Sequence, residues 1–337
     1  MDLYTLLRPL LFRLDPETAH NVTLKSLELA SRLGPLNPLH HTSEGRSVEL
    51  MGLRFPNPVG LAAGLDKDGA CMSGLAALGF GALEVGTVTP KAQPGNPMPR
   101  LFRVLEAEGI INRMGFNNAG VDTLLARVAA SSYRGILGIN IGKNKDTPVE
   151  AALEDYQACL RKVYAVADYV TINISSPNTP GLRSLQSGDS LETLLAGLAL
   201  ERKNLLNSTQ RRVPIAVKIA PDLDQEGLEQ MADSLKRHGF DAVIATNTTL
   251  SRAGVEHCVN GNESGGLSGR PVYARSTAIV EALAKQVNGR LPIIACGGIF
   301  SREDPQRKLD AGASMVQVYS GLIYRGPRLI KELVEGL

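Results

Sequence analysis

The first fourteen residues repeat leucine at helical spacing. Leu3, Leu6, Leu7, Leu10, Leu11 and Leu14 fall on one face, with Arg8 and Arg13 elsewhere. That pattern predicts a helix, and Pro9 inside it predicts a kink or an early end. Asp15-Pro16 then reads as an N-cap followed by proline at the first helical position. A second helix should follow to about Leu33, with Ala19, Val22, Leu27, Ala30 and Leu33 on its apolar stripe. Two short helices this rich in leucine cannot bury both faces against each other. Their spare apolar surface must meet the rest of the chain, another chain or a lipid surface. Residues 34–57, punctuated by Pro35, Pro38, Gly45 and Pro56, read as a linker.

From residue 58 to 337 short apolar runs alternate with amphipathic stretches. The runs at 59–62, 81–85, 136–140, 169–173, 213–219, 241–245, 292–296 and 314–318 are dominated by apolar and β-branched residues, as strands buried on both faces are. Helical patterns occupy 68–78, 118–130, 149–166, 190–207, 225–237, 272–288 and 302–310, and 326–337 reads as a closing helix. Eight strands, each leading to a connector or helix, predict an α/β fold: a (β/α)8 TIM barrel over 58–337, preceded by the small helical hairpin of residues 1–33. A doubly wound sheet is the competing arrangement. The two longer interruptions, 87–117 and 247–270, each follow a strand and precede a helix. They belong to the barrel face that carries chemistry.

Composition narrows the function. A net charge of +2 gives nucleic-acid binding no electrostatic support. Cys71, Cys159, Cys258 and Cys296 form no CxxC pair, which argues against a zinc or iron–sulfur site. No run of eighteen uncharged apolar residues is present to span a bilayer. None of His20, His40, His41, His238 and His257 sits at a predicted strand end, which argues against a histidine base or a three-histidine metal site.

The polar residues at the strand ends form a coherent set. The fourth strand gives way to Asn173, Ser175, Ser176 and Asn178 on a loop pinned by Pro177 and Pro180. Around the same mouth stand Lys67, Thr87, Asn140, Lys218, Thr246, Asn247 and Thr248, with Asn112, Arg113, Gly115, Phe116, Asn117 and Asn118 on a long loop. Several asparagines in one mouth suit a ligand edged with carbonyl and N–H groups, such as a flavin or a pyrimidine. Two lysines there call for anionic partners. Gly297-Gly298 and Ser320-Gly321, after the seventh and eighth strands, are placed to receive a phosphate. A Schiff base on Lys218, as in an aldolase, remains open on these residues alone, but leaves the glycines, Lys67 and Ser176 without a task.

Together the blocks GLAAGLDKDG (60–69), EVGTVTP (84–90), RLFR (100–103), INRMGFNN (111–118), GINIGKNKDTP (138–148), NISSPNTPGLR (173–183), VKIAPDL (217–223), IATNTT (244–249) and GGLSGRP (265–271) resemble the dihydroorotate dehydrogenases of the membrane-associated, quinone-dependent class, over essentially the whole chain. The resemblance implies one FMN per subunit and oxidation of (S)-dihydroorotate to orotate in de novo pyrimidine synthesis. It implies FMN contacts at Ala63, Gly64, Leu65, Asp66, Lys67, Thr87, Asn140, Asn173, Lys218, Thr246, Gly269, Gly298, Tyr319 and Ser320. Substrate contacts are implied at Lys67, Asn112, Arg113, Met114, Gly115, Phe116, Asn173, Asn178, Asn247 and Thr248, with Ser176 as the base and Lys67 and Lys218 as catalytic lysines. The other large class of the family has cysteine at the position of Ser176 and lacks the N-terminal extension. The class further implies a quinone acceptor of ubiquinone or menaquinone type and a lipid surface met by the hairpin. It also implies a peripheral position on the cytoplasmic face of the inner membrane and a monomeric state. A membrane-docked binding module without redox chemistry is the contrasting reading; a yellow protein that bleaches with dihydroorotate would separate the two.

Overall fold

The computed structural model describes residues 3–42 and 44–337; Met1, Asp2 and Ser43 of the expected hairpin and linker lie outside them. The chain opens with α1 (Leu3–Leu11) and α2 (Pro16–Ser31). α1 runs through Pro9 and stops two residues later. Asp15 caps α2 with Oδ1, which accepts from the backbone N–H groups of Glu17 (3.0 Å) and Thr18 (2.9 Å). The inner face of α2 buries Ala19 and Leu27 against the barrel. Its backbone rests on α3 (Met72–Ala76), where a Cβ on Gly74 would lie 2.6 Å from the Leu27 carbonyl carbon. Only glycine allows helices to approach that closely.

Where the composition suggested a linker, residues 48–55 instead form an antiparallel hairpin, β1 (Val48–Leu50) and β2 (Leu53–Phe55). Its turn residues Met51 and Gly52 both have positive φ, 55° and 76°, as tight hairpins require. Leu50, Met51 and Phe55 pack with Ala82, Tyr169, Ala216, Ile244, Ile294 and Met315, the inward-facing residues of the barrel. The hairpin therefore plugs one end of the barrel and leaves the other end free for a site.

The eight expected strands all appear, shifted by up to three residues. In chain order they are β3 (Val59–Leu61) and β4 (Ala82–Val88); then, past two inserted strands, β5 (Leu101–Val104) and β6 (Gly109–Asn112), come β7 (Ile136–Ile141), β8 (Tyr169–Asn173), β9 (Ile215–Ile219) and β10 (Ala242–Ala245). A third insertion, β11 (Gly266–Gly269), precedes β12 (Ile293–Cys296) and β13 (Met315–Val318). The eight barrel strands pair in parallel and close, with Val316 of β13 opposite Val59 of β3. The stretches 87–117 and 247–270, read as loops from sequence, contribute β5, β6 and β11. These form a separate antiparallel sheet in the order β11-β6-β5 over the barrel mouth.

The outer helices α4 (Val121–Ala130), α5 (Ala152–Val163), α6 (Gly188–Thr209), α7 (Gln225–Arg237), α8 (Tyr273–Val287) and α9 (Glu303–Asp310) match the expected stretches closely. Two expectations change. The helix expected over 68–78 is reduced to α3, because the Asp66 carboxylate holds the N–H groups of Ala70 and Cys71 (2.9 and 2.8 Å) in a turn. The closing helix expected over 326–337 is α11 (Arg328–Val334), and an unexpected short helix, α10 (Ser320–Arg325), precedes it, set off by Gly326-Pro327.

Phe55 is fully buried in the plug, with its ring 6.5 Å from that of Tyr169. Phe55→Ala should cost about 3–5 kcal/mol of stability, measured by denaturant unfolding. A loss below ~1 kcal/mol would show that the plug contributes little to the barrel.

Candidate active site

The open end of the barrel holds a cleft of about 1010 Å³. Ala63, Gly64 and Lys67 follow β3, and Thr87 ends β4. Asn112, Met114, Gly115 and Phe116 come from the end of β6 and the segment after it. Asn173, Ser176 and Asn178 arrive from β8, Lys218 from β9, and Thr246, Asn247 and Thr248 from β10. Gly269, Gly298, Tyr319 and Ser320 complete the set. Four residues expected in the site do not line it. Asp66 is the turn cap before α3, and burial raises its pKa. Leu65 faces a second cavity. Arg113 turns outward to Glu263 (2.7 Å) and stacks on Phe102, 4.4 Å from the ring centre. Asn140 lies one layer deeper, fully buried.

That deeper layer sets the orientation of the cleft. Glu84 is fully buried on β4, and its carboxylate accepts from Asn140 Nδ2 (2.8 Å), Gln317 Nε2 (2.7 Å) and Tyr169 OH (3.1 Å). A carboxylate can only accept, so Asn140 must point its amide nitrogen downward and its oxygen up. Asn140 Oδ1 then accepts from Thr87 Oγ1 (2.6 Å), and Thr87 Oγ1 accepts from Asn173 Nδ2 (2.9 Å). Asn173 Oδ1 is left to accept from Ser175 Oγ (3.1 Å) and Asn247 Nδ2 (3.3 Å). Each amide thereby has one orientation. Asn178, on the rim, donates its side-chain nitrogen to the Asn112 carbonyl (3.0 Å), tying the β8 loop to the small sheet. Its backbone N–H donates to Ser176 Oγ (3.2 Å), leaving the Ser176 proton free to be shared.

The cleft has polar groups to spare. Thr248 Oγ1 and Gln317 Oε1 are buried there without a partner among the described residues. The backbone N–H groups of Gly298 and Ile299 also find no acceptor among the described residues. Lys67 and Lys218 have no carboxylate in ion-pairing reach among the described residues. Burial lowers the pKa of Lys67, and the charges of Glu17 and Asp68 partly restore it. Unsatisfied donors at one end and unpaired cations beside them describe a receptor for an anionic, polar-edged ligand. Among the described residues, no group of three His, Cys, Asp or Glu could hold a metal ion.

Sequence reasoning missed Gln317, Ser268 and Cys296, which also line the cleft. Gln317 had a signal, being a long polar side chain in an otherwise apolar strand. It also missed His20, because only strand ends were considered. His20 lies on α2 and lines a second, apolar cavity of about 1590 Å³ between the helical hairpin and the barrel. Leu7, Leu11, Leu24 and Leu27 line its hairpin side, Leu65, Ile110 and Leu322 its barrel side, and Arg103 stands at one edge. Arg103 packs 4.6 Å from the Phe12 ring centre and donates to the carbonyls of Phe12 (3.2 Å) and Leu14 (3.0 Å), closing the end of α1. Tyr319 lines both the polar cleft and the apolar cavity.

The family model described as "Dihydroorotate dehydrogenase" matches residues 46–337. A protein of Methylococcus capsulatus named dihydroorotate dehydrogenase (quinone) is 61% identical over 328 residues, covering 97% of this chain and 96% of the relative. One of Thiobacillus denitrificans with the same name is 61% identical over 335 residues, covering 99% of each chain. Among solved structures, DHODH from Eimeria tenella in complex with ferulenol superposes with a TM-score of 0.86 at 40% identity, covering 95% of this chain and 89% of that one.

Burial, reinforced by the charge of Lys67, pushes the His20 pKa down from 6.5 to about 3. The unfolded chain therefore binds a proton at this residue below pH 6.5 that the folded chain refuses, and stability must fall as pH drops. Relative to His20→Gln, the wild-type protein should lose roughly 1–2 kcal/mol between pH 6.5 and 5. Parallel stability-versus-pH curves from denaturant titration would refute a neutral, half-buried His20.

Proposed function

Since this chain belongs to the dihydroorotate dehydrogenase family, we propose that it oxidises dihydroorotate to orotate in the polar cleft, with FMN as its prosthetic group and a quinone of the apolar cavity as the electron acceptor. The observation that carries this reading is the pair of cavities that Tyr319 lines, one polar and one apolar. A redox cofactor lying between them can serve a water-borne substrate and a lipid-borne one from the same site. FMN, when bound, supplies a hydride acceptor and a carrier of electrons onward to the quinone.

The chain's own residues do the rest. The free N–H groups of Gly298 and Ile299, with Ser320 beside them, suit the phosphate end, and Asn173, Lys218 and Thr246 suit the ring. Lys67 is the group to hold the substrate carboxylate, with Asn112, Asn178, Asn247 and the unpaired Thr248 Oγ1 along the ring edges, which fixes the reacting carbon. Ser176 takes the proton from C5 of dihydroorotate as the hydride leaves C6. A serine hydroxyl is a weak base, so its proton must pass on through the polar contacts of the loop or through solvent. Ser176→Ala should keep bound flavin and orotate affinity but slow anaerobic flavin reduction by roughly 10²–10⁴-fold. Reduction within a factor of three of wild type, followed by stopped flow, would remove Ser176 from the mechanism.

No helix among the described residues is long and apolar enough to cross a membrane. On the hairpin, Leu6 (59%), Leu10 (58%) and Leu29 (63%) nevertheless stand exposed, as does Leu36 (85%) in the short 3-10 turn that follows it. We take this surface to rest on the lipid that carries the quinone, peripherally, with the enzyme acting as a monomer. Leu6→Glu/Leu10→Glu should abolish co-sedimentation with vesicles and slow reoxidation by a long-chain quinone. Flavin reduction by dihydroorotate should be unchanged. A double variant that still sediments with vesicles would leave the hairpin as packing alone.

A further inference from the structure

Lys308 on α9 is fully buried, and nothing in the reaction described above uses it. Its ammonium donates to Ser276 Oγ and to the Tyr273 carbonyl (3.2 Å) on α8, and lies 4.7 Å from the centre of the Tyr273 ring. No carboxylate is within ion-pairing reach among the described residues: the Asp304 carboxylate of its own helix is occupied by the N–H groups of Phe300 and Ser301, both at 2.8 Å. A full positive charge in the interior without a counter-charge is costly, so it asks for an anion nearby.

The groups around Lys308 lead to one place. Ser276 Oγ lies 3.1 Å from the carbonyl oxygen of Gly297. A Cβ on Gly297 would sit 2.9 Å from Ser276 Oγ, and one on Gly298 would sit 2.4 Å from Tyr273 Cβ. The Gly297-Gly298 turn is thus pressed onto the first turn of α8, and Lys308 holds that turn from behind. Gly298 and Ile299, whose N–H groups find no acceptor among the described residues, line the cleft. The side chain of Cys296 feels the charges of both Lys308 and Lys218. Burial brings the Lys308 pKa down to about 8, against the more distant charges of Asp304 and Glu281, neither of which pairs with it directly.

Resting on the FMN reading given above, we propose that Lys308 is a specificity-determining residue for the phosphate of the flavin: a buried second-layer cation that favours FMN over the uncharged riboflavin without touching either. Charge acting through a dry protein wall is little screened, so it reaches a dianion on the far side of the glycine turn. The same contacts hold in place the glycine turn that lines the cleft.

The test separates charge from buttressing. Holoenzyme is incubated with excess FMN and riboflavin at equal concentration until exchange is complete, freed of unbound flavin, and its bound flavins are released and separated by chromatography. Wild type should carry almost only FMN. Lys308→Met should move the FMN-to-riboflavin ratio toward riboflavin by roughly 10-fold or more, whereas Lys308→Arg, which keeps the charge, should hold most of the preference. Lys308→Gln, which keeps a hydrogen bond to Ser276 but no charge, is the second variant should Lys308→Met fail to fold, and should behave like it. A neutral variant with the wild-type ratio, or one that loses both flavins in proportion, overturns the proposal. A wild-type protein that retains no FMN at all would instead sink the cofactor reading, and this inference with it.

Discussion

The carboxylate of Glu84 is the constraint on which the barrel mouth depends. It stands fully buried inside the barrel with no cation in ion-pairing reach among the described residues, and three neutral donors from β7, β8 and β13 converge on it. Hydrogen bonds to a charged acceptor are among the stronger ones a protein makes, and removing a donor from a buried charge is costly. The acceptor-only character of the group is then passed upward. It fixes Asn140, Asn140 fixes Thr87, Thr87 fixes Asn173, and Asn173 receives Ser175 and Asn247. The cleft therefore meets a ligand with its donors and acceptors already assigned, which is the preorganisation that positioning chemistry needs.

Above this layer the two cavities divide the molecule by solvent. The polar cleft belongs to the barrel and the small sheet over its mouth, while the apolar cavity belongs to the interface between barrel and helical hairpin. Tyr319 sits at the end of β13, where the chain leaves the barrel for α10. α10 in turn holds α1, because Arg8 donates to the Tyr324 carbonyl (2.9 Å) and Phe12 packs edge-on against the Tyr324 ring (5.5 Å). Tyr319, which lines both cavities, and Tyr324, which anchors the hairpin, lie on one short segment.

Much of this was legible in the sequence, for physical reasons. Strands such as Ile215–Ile219 and Ala242–Ala245 are buried on both faces, so their apolar runs are continuous and hard to misread. The Val48–Phe55 hairpin escaped because its strands are three residues long, and Glu49 and Arg54 point outward. β5, β6 and β11 escaped because Arg103, Asn112 and Ser268 break any apolar run. In the site, residues at strand ends could be read, and most gathered in the cleft. Arg113 and Asp66 did not, because the pull of Glu263 on one and of two backbone N–H groups on the other appears only in three dimensions. His20 and Lys308 were out of reach for a related cause: both sit on helices, and only the fold brings them beside the cavity and the glycine turn.

The contact at Gly74 has a geometric consequence. At this point the backbone of α2 lies directly on α3 with no side chain between them, so the two helices have no compliant layer there. A side chain at this one position would have to push α2 off α3, and with it the hairpin wall of the apolar cavity.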